Sequence, residues 1–304
     1  MVFSISSFLE VNGSTIQILQ KGSGSPIIIL TGMGCSFDEW YEIAEIISQS
    51  NRVIMYHRPG LGKSEIGLET RNTKSTVNEL AEIMFQLHIN EPTVIVAHSY
   101  GGLCAQHFAK EHPDKVAGLI LVDSTSIDLQ ELDDLNLPVI NGEDTDEVWL
   151  EKCYEYTLKE PDELKKIINP ILTKKQLEFP PYIQKRLIDF QISPVLYKAM
   201  YDEISNWKRD AEYIRNLSKF PKIPLMAVCR DKEHCIKIGI QDGLPEWEVR
   251  LLEEKWEELI KRQADMSSNG EFLIAKNASH SVHLDRPDII IDSIKRMVDE
   301  LCES

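Results

Sequence analysis

The chain has 304 residues, 42% hydrophobic and 27% charged, with a formal net charge of −16. That is an ordinary globular composition with enough length for a large core. The acidic balance argues against nucleic acid as a partner, since phosphate binding needs clustered Lys and Arg, and no apolar run is long enough to span a membrane.

The N-terminal Met1-Val2-Phe3-Ser4-Ile5-Ser6-Ser7 has neither a basic region nor a long apolar stretch, so no secretory signal is expected. Cys35, Cys104, Cys153, Cys229, Cys235 and Cys302 are scattered, with no paired spacing suited to zinc. They read as reduced thiols of a cytoplasmic protein.

Residues 7–19 read as a hairpin around Asn12-Gly13, a strong turn signal. Residues 27–30 and 53–56 are short, continuously apolar strands, as expected when both faces are covered. Between them, residues 38–48 carry Trp40, Ile43, Ala44 and Ile47 at helical spacing. Residues 76–87 are a second amphipathic helix, with Leu80, Ile83, Met84 and Leu87 inward. A strand at 94–97 leads through Ser99 into a helix over 103–110, and a further strand follows at 116–122. Residues 126–218 break the alternation, with helical segments at 147–159, 177–190 and 197–216 and no clear strand. Late strands at 225–228 and 271–275 precede a last helix begun by Pro287, with Ile290, Ile291, Ile294 and Val298 on one face. Alternation of this kind predicts an α/β fold with a doubly wound, mostly parallel sheet.

Ser99 ends a β-branched run and has a small residue two before it (Ala97) and two after it (Gly101). Such a strand-to-helix elbow lifts the hydroxyl out of the sheet and aims the first helical N–H groups at whatever the Ser attacks. Three more segments match a known pattern. Ile27-Ile28-Ile29-Leu30-Thr31-Gly32-Met33-Gly34 resembles a strand and oxyanion turn, with Thr31 at the usual His. His57-Arg58-Pro59-Gly60-Leu61-Gly62-Lys63-Ser64 resembles an Asp-Arg-x-Gly-x-Gly-x-Ser loop, with His57 for Asp. Asn277-Ala278-Ser279-His280 resembles a C-terminal Gly-His segment, with Ser279 for Gly. With the Ser99 elbow, these four motifs in this order resemble the α/β-hydrolase family, over nearly the whole chain outside the middle third. The resemblance implies a hydrolase core over residues 1–125 and 219–304, and a helical cap over 126–218 that covers the Ser and shapes its pocket.

A Ser hydroxyl needs a base to take its proton and a third group to orient that base. His280 suits the base, lying in a loop after a strand and far C-terminal of Ser99; His283 is its rival. A metal site on His280 and His283 has no convincing third ligand. His98 reads as packing beneath the elbow and His57 as capping or packing its own loop. Backbone N–H groups of Met33 and Tyr100 are expected to hold the oxyanion. The acid stays open. Asp231 follows the late strand where the motif order expects it, Asp123 ends the strand over 116–122, and Glu233 fits the family spacing.

The family resemblance implies a cofactor-free serine hydrolase acting on a small carboxylic ester or related acyl compound, with no cofactor or metal. Ser at the elbow argues against the epoxide hydrolases and haloalkane dehalogenases of this fold, which use Asp there. A lyase or perhydrolase, or a ligand sensor that signals through its cap, are alternatives on the same fold. Gly60-Leu61-Gly62-Lys63-Ser64 ends like a phosphate-binding loop, but His57 stands where that motif needs Gly, so Lys63 and Ser64 read as a surface turn. The net charge is concentrated over residues 127–163, where 13 acids face only Lys152 and Lys159. This reads either as a solvated face or as a field that disfavours anionic substrates.

Overall fold

A computed structural model describes residues 5–143 and 145–303. Part of the N-terminal stretch read for a secretory signal, and Asp144 of the acidic run, lie outside the described residues. Eight strands, β1 (Ile5–Val11), β2 (Ser14–Lys21), β3 (Pro26–Leu30), β4 (Arg52–Tyr56), β5 (Thr93–His98), β6 (Val116–Val122), β7 (Leu225–Arg230) and β8 (Gly270–Ala275), make one sheet in the order β1-β2-β4-β3-β5-β6-β7-β8. β2 pairs antiparallel with β1 and β4, and all later pairs are parallel. The hairpin turns on Asn12 and Gly13, at φ 50° and 79°. Two successive positive φ values match the twist of the strands they join.

Helices alternate with the strands: α1 (Tyr41–Ile47), α2 (Thr73–Gln86) and α3 (Tyr100–Glu111). After β6 come α4 (Gln130–Asp133), α5 (Ile140–Glu143), α6 (Asp146–Thr157), α7 (Pro161–Ile168), α8 (Pro181–Gln191) and α9 (Pro194–Asn216). After β7 come α10 (Lys232–Gln241) and α11 (Glu246–Ala264), and after β8 come α12 (Val282–Asp285) and α13 (Pro287–Glu303). One sheet face is covered by Val77, Leu80, Ile83 and Met84 of α2, Phe108 of α3 and Ile260 of α11. The other is covered by Ile43 and Ile47 of α1 and Ile290, Ile294 and Met297 of α13. The sheet is therefore wrapped on both sides, which is why its strands read as unbroken apolar runs.

The boundaries shift for local reasons. α2 starts before the predicted residue 76 because Asn72 and Ser75 form a reciprocal capping box. The predicted helix over 38–48 opens as a 3-10 turn, Phe37–Trp40, before α1. α10 and α11 escaped the sequence reading. The inward face of α11 carries Glu248, Glu253 and Gln263 among its apolar positions, so its hydrophobic stripe is interrupted.

The inserted helices dock on the sheet's carboxyl end through α9. Its Glu203 pairs with Arg58, and its Asp210 accepts from Thr73 N–H at 2.8 Å. No helix among the described residues is long and apolar enough to cross a membrane.

Candidate active site

Ser99 sits between β5 and α3 at φ 52°, ψ −126°. A positive φ is costly for a residue with a side chain, so the surroundings must enforce it. Ser99 N–H donates to Val122 O at 3.2 Å, and Ser99 O accepts from Gly102 N–H at 2.8 Å and Thr125 N–H at 3.0 Å. The chain can turn this tightly only with glycine after it. A Cβ on Gly101 would lie 2.5 Å from Thr31 O, and one on Gly102 would lie 1.9 Å from Ser124 Oγ. Tyr100 opens α3, so its N–H has no acceptor within the helix.

His280 lies in the loop after β8, its side chain 42% exposed, and its Nδ1 is 2.6 Å from Asp123 Oδ2. Asp123 ends β6 at φ 41° and is fully buried. Each of its oxygens takes two donors. Oδ1 accepts from Arg230 N–H at 3.0 Å and Trp256 Nε1–H at 2.9 Å, and Oδ2 from Arg230 Nη1 at 3.2 Å as well as facing His280. Burial alone would push this carboxyl up, but the Arg230 charge and the His280 hydrogen bond outweigh it and hold the group at about 2.

That depression has a stability consequence. A carboxylate held low in the folded state stabilises the fold above its unfolded value and loses that contribution as pH falls through the folded one. The urea midpoint of the wild-type chain should therefore drop relative to Asp123→Asn between about pH 4 and pH 2. Parallel curves over that window would contradict this account of Asp123.

Of the three acids the sequence leaves open, Asp231 and Glu233 point away from the His280 ring. Asp231 caps α10, accepting from Glu233 N–H at 3.2 Å, and its second oxygen accepts from Asn277 N–H at 3.0 Å. Both oxygens are thus spent on backbone, and Asp231 braces the start of the His280 loop. Glu233 is exposed and 3.4 Å from Arg250. His283 is buried, stacked on Trp40 at 4.7 Å, with Nε2 3.4 Å from Glu39. Burial drives it down to about 3, so it is neutral at ordinary pH.

His98 lies beneath the elbow, with Nε2 2.9 Å from His280 O. It packs against the rings of His280 and His283, each 4.7 Å away. Burial lowers it well below the usual histidine value. Ser279 N–H and Oγ both donate to Asp285 Oδ2, at 2.8 and 2.6 Å, so a Ser serves this turn where the resemblance expected Gly.

Met33 stands in the turn after β3, which Cys35 N–H closes on Gly32 O at 3.3 Å. A Cβ on Gly32 would meet His98 Nδ1 at 2.9 Å and Ser99 Cβ at 3.1 Å, so only glycine lets this turn approach the elbow. Met33, Ser99 and His280 open together on a cavity of about 680 Å³. Its far wall comes from the inserted helices and α11, with Leu129, Trp149, Met200, Trp207 and Trp256. The Tyr100 side chain instead packs inward with Leu103, Ala211 and Ile214.

Residues 25–157 match the alpha/beta hydrolase fold family. The enol-lactonase of Burkholderia xenovorans LB400 superposes with a TM-score of 0.67 at 17% identity, over 96% of this chain and 100% of that one. This chain is an α/β-hydrolase by fold. A soluble epoxide hydrolase of Corynebacterium sp. (strain C12) is 28% identical over 113 residues, 37% of this chain and 39% of that protein. The uncharacterized protein YqjL of Bacillus subtilis (strain 168) is 21% identical over 272 residues, 89% of this chain and 83% of that protein.

In this fold the loop after β4 departs from the Asp that the resemblance expects, carrying His57 instead, and the structure shows what replaces it. His57 is buried and stacked 3.8 Å from Phe37, with Nδ1 2.9 Å from Gln17 Oε1 and Nε2 accepting from Phe37 N–H at 3.2 Å. Burial and the charges of Arg186 and Arg58 lower it to about 3, so it works as a neutral hydrogen-bonding plug. Arg58 donates to Thr31 O at 2.7 Å and Gly32 O at 3.0 Å and grips Glu203 of α9. It therefore fixes the Met33 turn and the inserted helix together. Ser64, read as part of a surface turn, is buried: its Oγ donates to His57 O at 2.7 Å and accepts from Gln17 N–H at 2.9 Å. Lys63 stays exposed.

Sequence reading missed Arg230 and Trp256 as neighbours of the site. Arg230 was legible as a residue at the end of a late strand, whereas Trp256 lies on a helix whose polar inward face concealed it.

Proposed function

We propose that the chain is a cofactor-free serine hydrolase of carboxylic esters or related acyl compounds. Residues 126–218 act as a cap over a core formed by 1–125 and 219–304. The observation that carries this reading is the Asp123–His280 contact of 2.6 Å on the cavity that Ser99 enters from a strained elbow.

Ser99 Oγ attacks the acyl carbon while His280 takes the hydroxyl proton. Asp123, facing Nδ1, fixes the ring so that Nε2 is the basic nitrogen and stabilises the imidazolium. N–H groups of Met33 and Tyr100 hold the oxyanion, each contributing about 3–4 kcal/mol in comparable sites. His280 then gives its proton to the departing alkoxide, and water, deprotonated by the same ring, frees the acid from Ser99.

A p-nitrophenyl ester panel run with and without a fluorophosphonate tests this reading. Ester turnover abolished by the phosphonate supports it. Labelling without turnover favours a lyase or perhydrolase, and neither labelling nor turnover favours a sensor.

The cavity bears on substrate charge. Asp133, Asp146 and Glu147 line it against Lys208, which bridges Asp133 and Asp146, the latter at 2.8 Å. Neutral acyl chains should therefore be cleaved faster than anionic ones of equal length. The ratio should shrink with salt, since screening acts within about 10 Å at 0.1 M. A ratio independent of salt, or a preference for dicarboxylic monoesters, would contradict this.

A further inference from the structure

The Asp123 carboxylate has a cationic partner of its own, and that partner is tied to a second buried acid. Arg230 leaves β7 and sends Nη1 to Asp123 Oδ2 at 3.2 Å, while its Nε and Nη2 fork onto Glu253 of α11 at 2.8 and 2.7 Å. Arg230 and Glu253 are both buried, and the guanidinium lies 4.3 Å from the Trp256 ring centre. Trp256 in turn presents its ring edge-on to His280 at 5.8 Å and donates Nε1–H to Asp123.

We propose that Arg230, clamped by Glu253 and Trp256, is a positioning residue that locks the Asp123 carboxylate toward His280 and sets how strongly that carboxylate favours the protonated ring. The mechanistic meaning of this device rests on the serine-hydrolase reading. The physical reason is twofold. A carboxylate has about four acceptor sites, and all four are filled here, so it cannot swing away from the imidazole. The guanidinium also shares the negative charge that would otherwise act on the imidazolium alone, and Glu253 partly withdraws that positive charge in turn.

The other groups around His280 are poor competitors for its titration. His98 and His283 are buried and lowered well below ordinary pH. Burial pushes both the Cys229 and the Cys235 thiols up, the second to about 12. Asp285 is engaged by Ser279, and Asp231, 3.8 Å from Lys276, by backbone.

Two variants give opposite signs. Arg230→Met removes the cation and should move the midpoint of the His280 ring titration up by about one pH unit. Glu253→Gln removes the counter-charge, leaves Arg230 facing Asp123 undivided, and should move it down. The double variant should return toward wild type. The ring protons of His280, assigned by their loss in His280→Gln, report this by NMR on the full chain without any assay of activity. The acid limb of kcat/KM should follow the same shifts. Absence of ester turnover with opposed ring shifts would reject the hydrolase reading and keep this one. Unmoved midpoints, or shifts of the same sign, would overturn it whether or not esters are cleaved. If Arg230→Met fails to fold, the sign for Glu253→Gln decides alone: a downward shift supports the proposal, and no shift or an upward one overturns it.

Discussion

Ser99→Ala should lower ester turnover by on the order of 10⁶, since removing the nucleophile of a comparable triad costs about that much. The change deletes one half-buried hydroxyl that makes no capping hydrogen bond to α3. Thermal stability should therefore change little. Substrate analogues should still bind, because the cavity walls and the Met33 turn are untouched. Turnover within about tenfold of wild type would show that acylation does not pass through this hydroxyl.

The second large effect separates two aspartates. Asp123→Asn should lower turnover by about 10⁴, because an amide facing Nδ1 can present N–H and stabilise the wrong tautomer of the base. Asp231→Asn should leave turnover close to wild type, since an Asn side chain can still cap α10 and the Asp231 oxygens accept backbone N–H groups of Glu233 and Asn277 rather than facing His280. Measuring kcat for both variants, with circular dichroism to check folding, is enough. Equal losses, or a collapse confined to Asp231→Asn, would reverse the assignment. The two residues differ in chemistry despite lying close in the fold. Asp123 is fully buried and points at a ring, whereas Asp231 is tied to two amides at the loop's base.

Why the sequence left the acid open among Asp123, Asp231 and Glu233, while the elbow was plain, has a physical explanation. An elbow is a local device: a strand, a Ser and glycines that let α3 pack on Thr31 O and Ser124 Oγ, all within ten residues. The acid is chosen by which strand end reaches the imidazole, and β6 and β7 are neighbours in the sheet, so Asp123 and Asp231 both end strands near His280. Only the sheet register and the loop after β8 decide between them. The same limit hid Arg230 and Trp256, whose roles arise from contacts across more than 100 residues of chain. The doubly wound architecture was legible because buried parallel strands leave continuous apolar runs. Helix α11 was not, because Glu253, buried in its ion pair with Arg230, breaks the periodic signal. His57 shows the reverse case: a residue that departs from the expected pattern keeps its loop folded by hydrogen bonds that only the structure reveals.

The most direct test of the central claim is where a covalent acyl mimic lands. Incubating the chain with a fluorophosphonate, digesting it and mapping the adduct by mass spectrometry should place the single phosphonyl group on Ser99 in the peptide that spans the β5–α3 elbow. The rate of labelling should fall in both His280→Gln and Asp123→Asn and stay near wild type in Asp231→Asn. A Ser99 peptide left unmodified while esters are turned over, or labelling that does not depend on His280, would contradict the account.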